Sequence, residues 1–118
     1  MTGKFVWFDV SARDTDAVSQ FYGKLFGWPI GPNTSDNKYA GWIMDGEQPW
    51  AGVTHADDLT EGRWLPYVQV EDLDAARDKA MALGATLIQD KTVGPGGTAV
   101  TIADPGGAFV ALFVPKSG

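Results

Sequence analysis

The stretch FVWFDVSARDTDAVSQFYGKLFGW, Phe5 to Trp28, alternates apolar residues, meets a pair of aspartates, runs on at helical spacing and stops at a glycine. The same plan returns in LPYVQVEDLDAARDKAMALGA, Leu65 to Ala85. Setting Asp14 on Asp72 puts Val10 on Val68, Asp16 on Asp74, Ala17 on Ala75 and Leu25 on Leu83. Likeness at a fixed spacing marks a repeated structural unit. In each copy the first aspartate is an N-cap, because its short carboxylate can accept from the free amides of the first turn. Asp16 and Asp74 then place negative charge near the positive end of the helix dipole. Val18, Phe21, Tyr22, Leu25 and Phe26 fall on one apolar stripe. Gly27 and Gly84 stand where a helix ends in a left-handed residue.

The repeat extends further. IMDGEQPWAGV, Ile43 to Val53, resembles IADPGGAFVAL, Ile102 to Leu112, and in both an Asp-led turn joins two strands as in a hairpin. Each half therefore reads strand, helix, then three strands. The fold class is α+β, with two tandem βαβββ modules whose curved sheets enclose a cleft. One domain covers residues 1–118: module one at about 1–56, a linker at about 57–63, and module two at about 64–118. The segment DKTVGPGGTAV, Asp90 to Val100, reads as an irregular loop over the pocket mouth. It lacks the spacing of a phosphate-binding fingerprint.

Composition narrows the function. A chain of 118 residues, 44% hydrophobic and 20% charged, suits one globular domain with a core of its own. With no cysteine, disulfides, thiolate metal sites and a cysteine nucleophile are excluded. The first residues hold no long apolar run, so neither a signal peptide nor a membrane span is expected, and a cytoplasmic protein is. A net charge of −6 argues against nucleic acid as a partner and is compatible with cationic or neutral small molecules.

The FY of DTDAVSQFYGKLFGW, the VEDLDAA that opens an LGA-terminated helix and the DPGGAFVALF strand together resemble the vicinal oxygen chelate superfamily. That group includes glyoxalase I, extradiol dioxygenases and bleomycin-resistance proteins. The resemblance spans nearly the whole chain and implies two βαβββ modules around a shared cavity, commonly in a homodimer. It also implies four metal-ligand positions, which fall on Trp7, Gly52, Leu65 and Ala111. None offers the imidazole nitrogen or carboxylate oxygen that a divalent ion requires. No metal and no other cofactor is therefore expected.

Strand alternation assigns the faces. Trp7 and Asp9 share the cavity side of the first strand. Trp50 and Thr54 join Gly52; Leu65, Tyr67 and Gln69 share a side in the second module, as do Phe109, Ala111 and Phe113. The expected ligand-binding set is Trp7, Asp9, Trp50, Tyr67, Gln69, Phe109 and Phe113. Trp42 is a further candidate at the cleft, whereas Trp28 and Trp64 suit core or interface packing. Asp9, set between Phe8 and Val10, is costly to bury unless something pairs with it. It could bind a cationic ligand, act as an acid or base with Tyr67 as its catalytic companion, or hydrogen-bond to Tyr67 or a backbone amide for structural reasons. His55, the one histidine, is either a stray ligand or base, or a strand-end residue facing away from Gly52.

The resemblance to bleomycin-resistance proteins favours a metal-free binding protein that sequesters an aromatic or cationic metabolite or antibiotic. The alternative is a metal-independent lyase- or isomerase-like enzyme using Asp9. A metal-dependent glyoxalase- or dioxygenase-type enzyme ranks third. A homodimer is expected to cover exposed strand edges and apolar surface.

Overall fold

The computed structural model describes residues 3–34, 37–57 and 61–116. In chain order the elements are β1 (Phe5–Ala12), α1 (Thr15–Phe26), β2 (Ile30–Pro32), β3 (Tyr39–Asp45) and β4 (Gln48–His55), followed by β5 (Arg63–Gln69), α2 (Leu73–Ala82), β6 (Thr86–Gly94), β7 (Gly97–Ala103) and β8 (Phe109–Pro115). The βαβββ plan occurs twice, and the fold is α+β.

The repeat is visible in single hydrogen bonds. The Asp14 carboxylate accepts from the Ala17 amide and the Asp72 carboxylate from the Ala75 amide, each at 3.0 Å. Gly27 (φ 73°) and Gly84 (φ 103°) follow the two helices in the backbone region that favours glycine.

The chain forms two compact units. One runs from Trp7 to Leu65; the other joins the residues up to Val6 to those from Pro66 onward. This grouping carries Phe5 and Val6 with the second repeat and Gly62–Leu65 with the first. Residues 58–60 of the expected linker lie outside the described residues. Within the Trp7–Leu65 unit the strands are ordered β2-β3-β4-β1, with β1 parallel to β4 and Asp9 opposite Gly52. Its core is Val10, Ile43, Ala51 and Val53, packed by Val18 and Tyr22 of α1 and by Phe8, Trp28, Ile30 and Trp50.

The other unit orders its strands β5-β8-β7-β6. Leu73 of α2 packs on Val100, Ile102 and Leu112, with Val110 and Val114 beside them. The segment around Gly94–Gly97 departs from the loop expected of it. Gly94 pairs with Gly97 across a hairpin, and the β-branched Thr92 and Val93 extend β6 up to the turn. This is a strand pair rather than a loop over a pocket mouth. β6 lies at the end of its sheet, with Thr86 to Val93 all exposed. Its register against β7 shifts twice, which is how an edge is twisted away from further pairing.

Arg77 of α2 ties this edge to the helix. Its guanidinium lies 3.1 Å from Asp90, 3.2 Å from Asp78 and 3.5 Å from Asp74, and Lys91 also pairs with Asp74. The hydrogen bond from Lys91 holds the Asp74 carboxyl below the usual aspartate range. The Lys91 backbone amide, then Arg77, does the same for Asp90. A folded-state value below the unfolded one contributes stability at pH above the ordinary aspartate range, and that contribution is lost as pH falls through the folded value. The groups are exposed, so the contribution is small and screened by salt. Denaturation midpoints should fall on acidification in low salt, with a shallower slope in Arg77→Gln. Equal slopes would mean that the network is not populated in solution.

Candidate functional site

The Trp7–Leu65 unit builds an aromatic cluster around one buried acid. Asp9, on β1, is 2% exposed. Its Oδ1 accepts from the Trp7 indole Nε1 at 2.7 Å and its Oδ2 from the Tyr39 hydroxyl at 2.9 Å. Burying a carboxylate is costly unless its oxygens are hydrogen-bonded, as these two are. The Trp42 ring lies 4.4 Å from Tyr39 and 6.0 Å from Trp7, centroid to centroid. All three rings are half-buried. On the same strand pair, Ser11 and Thr54 share a hydroxyl hydrogen bond across β1 and β4.

Gly52 makes this arrangement possible. A Cβ on it would collide with the Tyr39 ring and approach Asp9 Oδ1 to 3.0 Å. The missing side chain is the space that the phenol fills. Glycine inside a strand commonly marks a place where another group comes close.

Tyr39 was not among the residues expected from sequence, and Trp50 was expected on the wrong face. Both follow from bulges in the β3–β4 ladder. Tyr39 pairs with Thr54 and Gly41 with Val53, so Ala40 is an extra residue that turns Tyr39 to the side of Trp42. Ile43 pairs with Ala51 and Met44 with Pro49, so Trp50 is an extra residue on β4. Trp50 consequently leaves the face of Gly52 and enters the core, 4.9 Å from Trp28 and 6.2 Å from Phe8. Period-two alternation fails at a bulge.

The remaining expected residues are distributed as follows. Tyr67 and Gln69 on β5 pair with Ala111 and Phe113 on β8, and the Tyr67 and Phe113 rings meet at 5.9 Å. Phe109, at the start of β8, pairs with Ala103. Leu65 belongs to the same unit as Trp7. His55 Nε2 lies 3.0 Å from the exposed Asp57 carboxylate, a surface pair at a strand end.

A model of the glyoxalase-like domain matches residues 6–113. The chain belongs to the glyoxalase-like family. This glyoxalase-like chain is 31% identical over 114 residues to CFP32 of Mycobacterium bovis and of Mycobacterium tuberculosis, a protein that carries a glyoxylase name. The match covers 91% of this chain but 44% of the relatives, so the chain spans less than half their length. Among solved structures it resembles the Mn(II)-bound glyoxalase of Novosphingobium aromaticivorans, with TM-score 0.65, 18% identity, and 99% of this chain and 42% of that one covered. It also resembles the methylmalonyl-CoA epimerase of Mycobacterium tuberculosis, with TM-score 0.64, 16% identity, and coverage of 98% and 90%. A variant of homoprotocatechuate 2,3-dioxygenase from B. fuscum gives TM-score 0.69 at 14% identity, over 98% of this chain and 33% of that one. These likenesses establish the vicinal oxygen chelate fold.

The residues present do not fit the divalent ion that this fold holds in some members. An indole nitrogen donates and has no lone pair to give, and Gly52, Leu65 and Ala111 carry no donor atom at all. Both Asp9 oxygens are engaged by Trp7 and Tyr39. The Tyr39 ring stands where a side chain at position 52 would project. Among the described residues no three of His, Cys, Asp and Glu come together as a ligand set. No described helix is long and apolar enough to cross a membrane.

Proposed function

We propose that this glyoxalase-like chain is a small-molecule-binding protein that holds an aromatic or cationic metabolite or antibiotic against its rings without a metal. One observation carries the reading: the buried Asp9 carboxylate binds the polar edges of Trp7 and Tyr39 while their faces gather with Trp42. An anion at the N–H and O–H edges makes the ring faces more electron-rich, and such faces attract cations. The Lys38 ammonium already lies 5.6 Å above the Tyr39 ring, so a cation suits this face. Planar rings stack on the same surface. Tyr67, Gln69, Phe109 and Phe113 are proposed as ligand-binding residues of the other unit. A cytoplasmic homodimer is the proposed setting. Trp50 is left out of the site, because it packs in the core.

A second reading is a metal-independent enzyme, and the Tyr39–Asp9 hydrogen bond favours it as a pair able to hold a proton. The names of the relatives point to enzymes, but the chain spans only part of those it matches by sequence.

Titration of tryptophan fluorescence with phenyltrimethylammonium and with its neutral tert-butyl analogue separates the readings. The cation should bind tighter, and Tyr39→Phe should weaken it by roughly fivefold, about 1 kcal/mol, while leaving the neutral analogue unchanged. Equal binding of the two probes would overturn the cationic preference. Turnover in a substrate screen that survives chelators and disappears in Asp9→Asn would establish the enzyme instead.

A further inference from the structure

We infer that the Trp7–Leu65 unit carries a second site, on the helix side of β1, for a small aromatic carboxylate. A cleft of about 350 Å³ opens between the end of β1, α1 and the segment Gly62–Trp64. This is the lower end of the range for small-molecule sites. Val10, Ala12, Ala17 and Val18 are its apolar lining, and Phe21 and Trp64, 57% and 37% exposed, supply rings. α1 has no fully buried residue despite its apolar stripe, which leaves this surface accessible.

The polar groups in the cleft select the sign of the ligand. The Tyr22 hydroxyl accepts from Trp64 Nε1 at 3.0 Å, and among the described residues its own hydrogen has no acceptor. Arg63 also lines the cleft, and among the described residues no acidic one does. A guanidinium has five donors, so it can grip a carboxylate while keeping another partner. In a chain of net charge −6, an apolar cleft whose described lining holds an arginine and a phenol O–H but no carboxylate is complementary to an anion. The carboxylate takes the Tyr22 O–H and Arg63, and the ring packs on Phe21 and Trp64. Asp9 and Val10 are successive residues of β1 and face opposite sides, so this site is separate from the Asp9 cluster and opposite to it in charge preference.

The probes are 2-naphthoate and its neutral counterpart 2-naphthylmethanol, titrated into the whole chain while the tryptophan indole N–H resonances are followed. Naphthoate should bind at least tenfold tighter and shift the Trp64 indole signal, leaving Trp7 in place. Arg63→Gln should erase the preference for naphthoate, and Tyr22→Phe should weaken it severalfold. Asp9→Asn should leave it unchanged, so failure here and failure of the cation site are told apart. Equal affinity for the two probes overturns the inference. So does absence of naphthoate binding, or a shift at Trp7 with none at Trp64 in the unmodified protein.

Discussion

Asp9→Ala should lower the stability of the fold by about 3 kcal/mol, read as a shift in the denaturation midpoint at constant slope. Each hydrogen bond to a charged group is worth roughly 1.5–3 kcal/mol, and two donors converge on this carboxylate. Alanine strands the Trp7 N–H and the Tyr39 O–H. Both rings are only half-buried, so water recovers part of the loss, which keeps the expected figure below the sum. Asp9→Asn retains one oxygen as an acceptor but turns an amide hydrogen towards the second donor, and about 1–2 kcal/mol is expected. The Trp7 indole proton resonance should move upfield in both variants as its charged acceptor disappears. A midpoint unchanged in Asp9→Ala would show that the carboxylate is not the hub of the cluster, and the proposed cation site would lose its source of charge.

The parts of the fold set by local chemistry were legible. Two aspartates three residues ahead of an amide, a helical stripe and a terminal glycine specify the same helix twice, whatever surrounds them. The two Asp-led hairpins, β3–β4 and β7–β8, followed from their turn residues. The site was only half legible. Asp9 and Trp7 stood out because a carboxylate within an apolar strand demands a partner. The partner itself, Tyr39, comes from a strand whose register depends on an extra residue at Ala40, and a bulge leaves no clear mark in the pattern of residue types. Trp50 was misplaced for the same reason. The sequence did hold one clue in Gly52, since a strand residue without a side chain invites a close approach. That clue says that something fills the gap without saying which residue arrives to fill it. The irregular Gly-Pro-Gly-Gly run misled in the opposite direction, because glycines that allow a hairpin turn also resemble a loop.

Gly52→Ala provides the sharpest test of that packing. The added methyl collides with the Tyr39 ring and comes to 3.0 Å from Asp9 Oδ1, in a position that is fully enclosed. Overpacking of this kind typically costs about 1–3 kcal/mol. Here the upper part of that range is expected, because moving the ring also breaks its hydrogen bond to Asp9. The backbone at Gly52 is ordinary strand, so the penalty is steric and can be relieved by removing the obstacle. Tyr39→Ala should therefore absorb most of it: the double variant Gly52→Ala/Tyr39→Ala should be scarcely less stable than Tyr39→Ala alone. Such non-additivity, roughly 1–2 kcal/mol, is the signature of two groups competing for one space. Additive losses would mean that the ring lies elsewhere in solution. The same pair of variants bears on function, because Tyr39 occupies the space where metal-dependent members of the superfamily are expected to project a ligand. If Gly52→Ala displaces the ring, it should weaken phenyltrimethylammonium binding at least as much as Tyr39→Phe does. A binding surface built from Tyr39 requires that result, and a surface built from other residues does not.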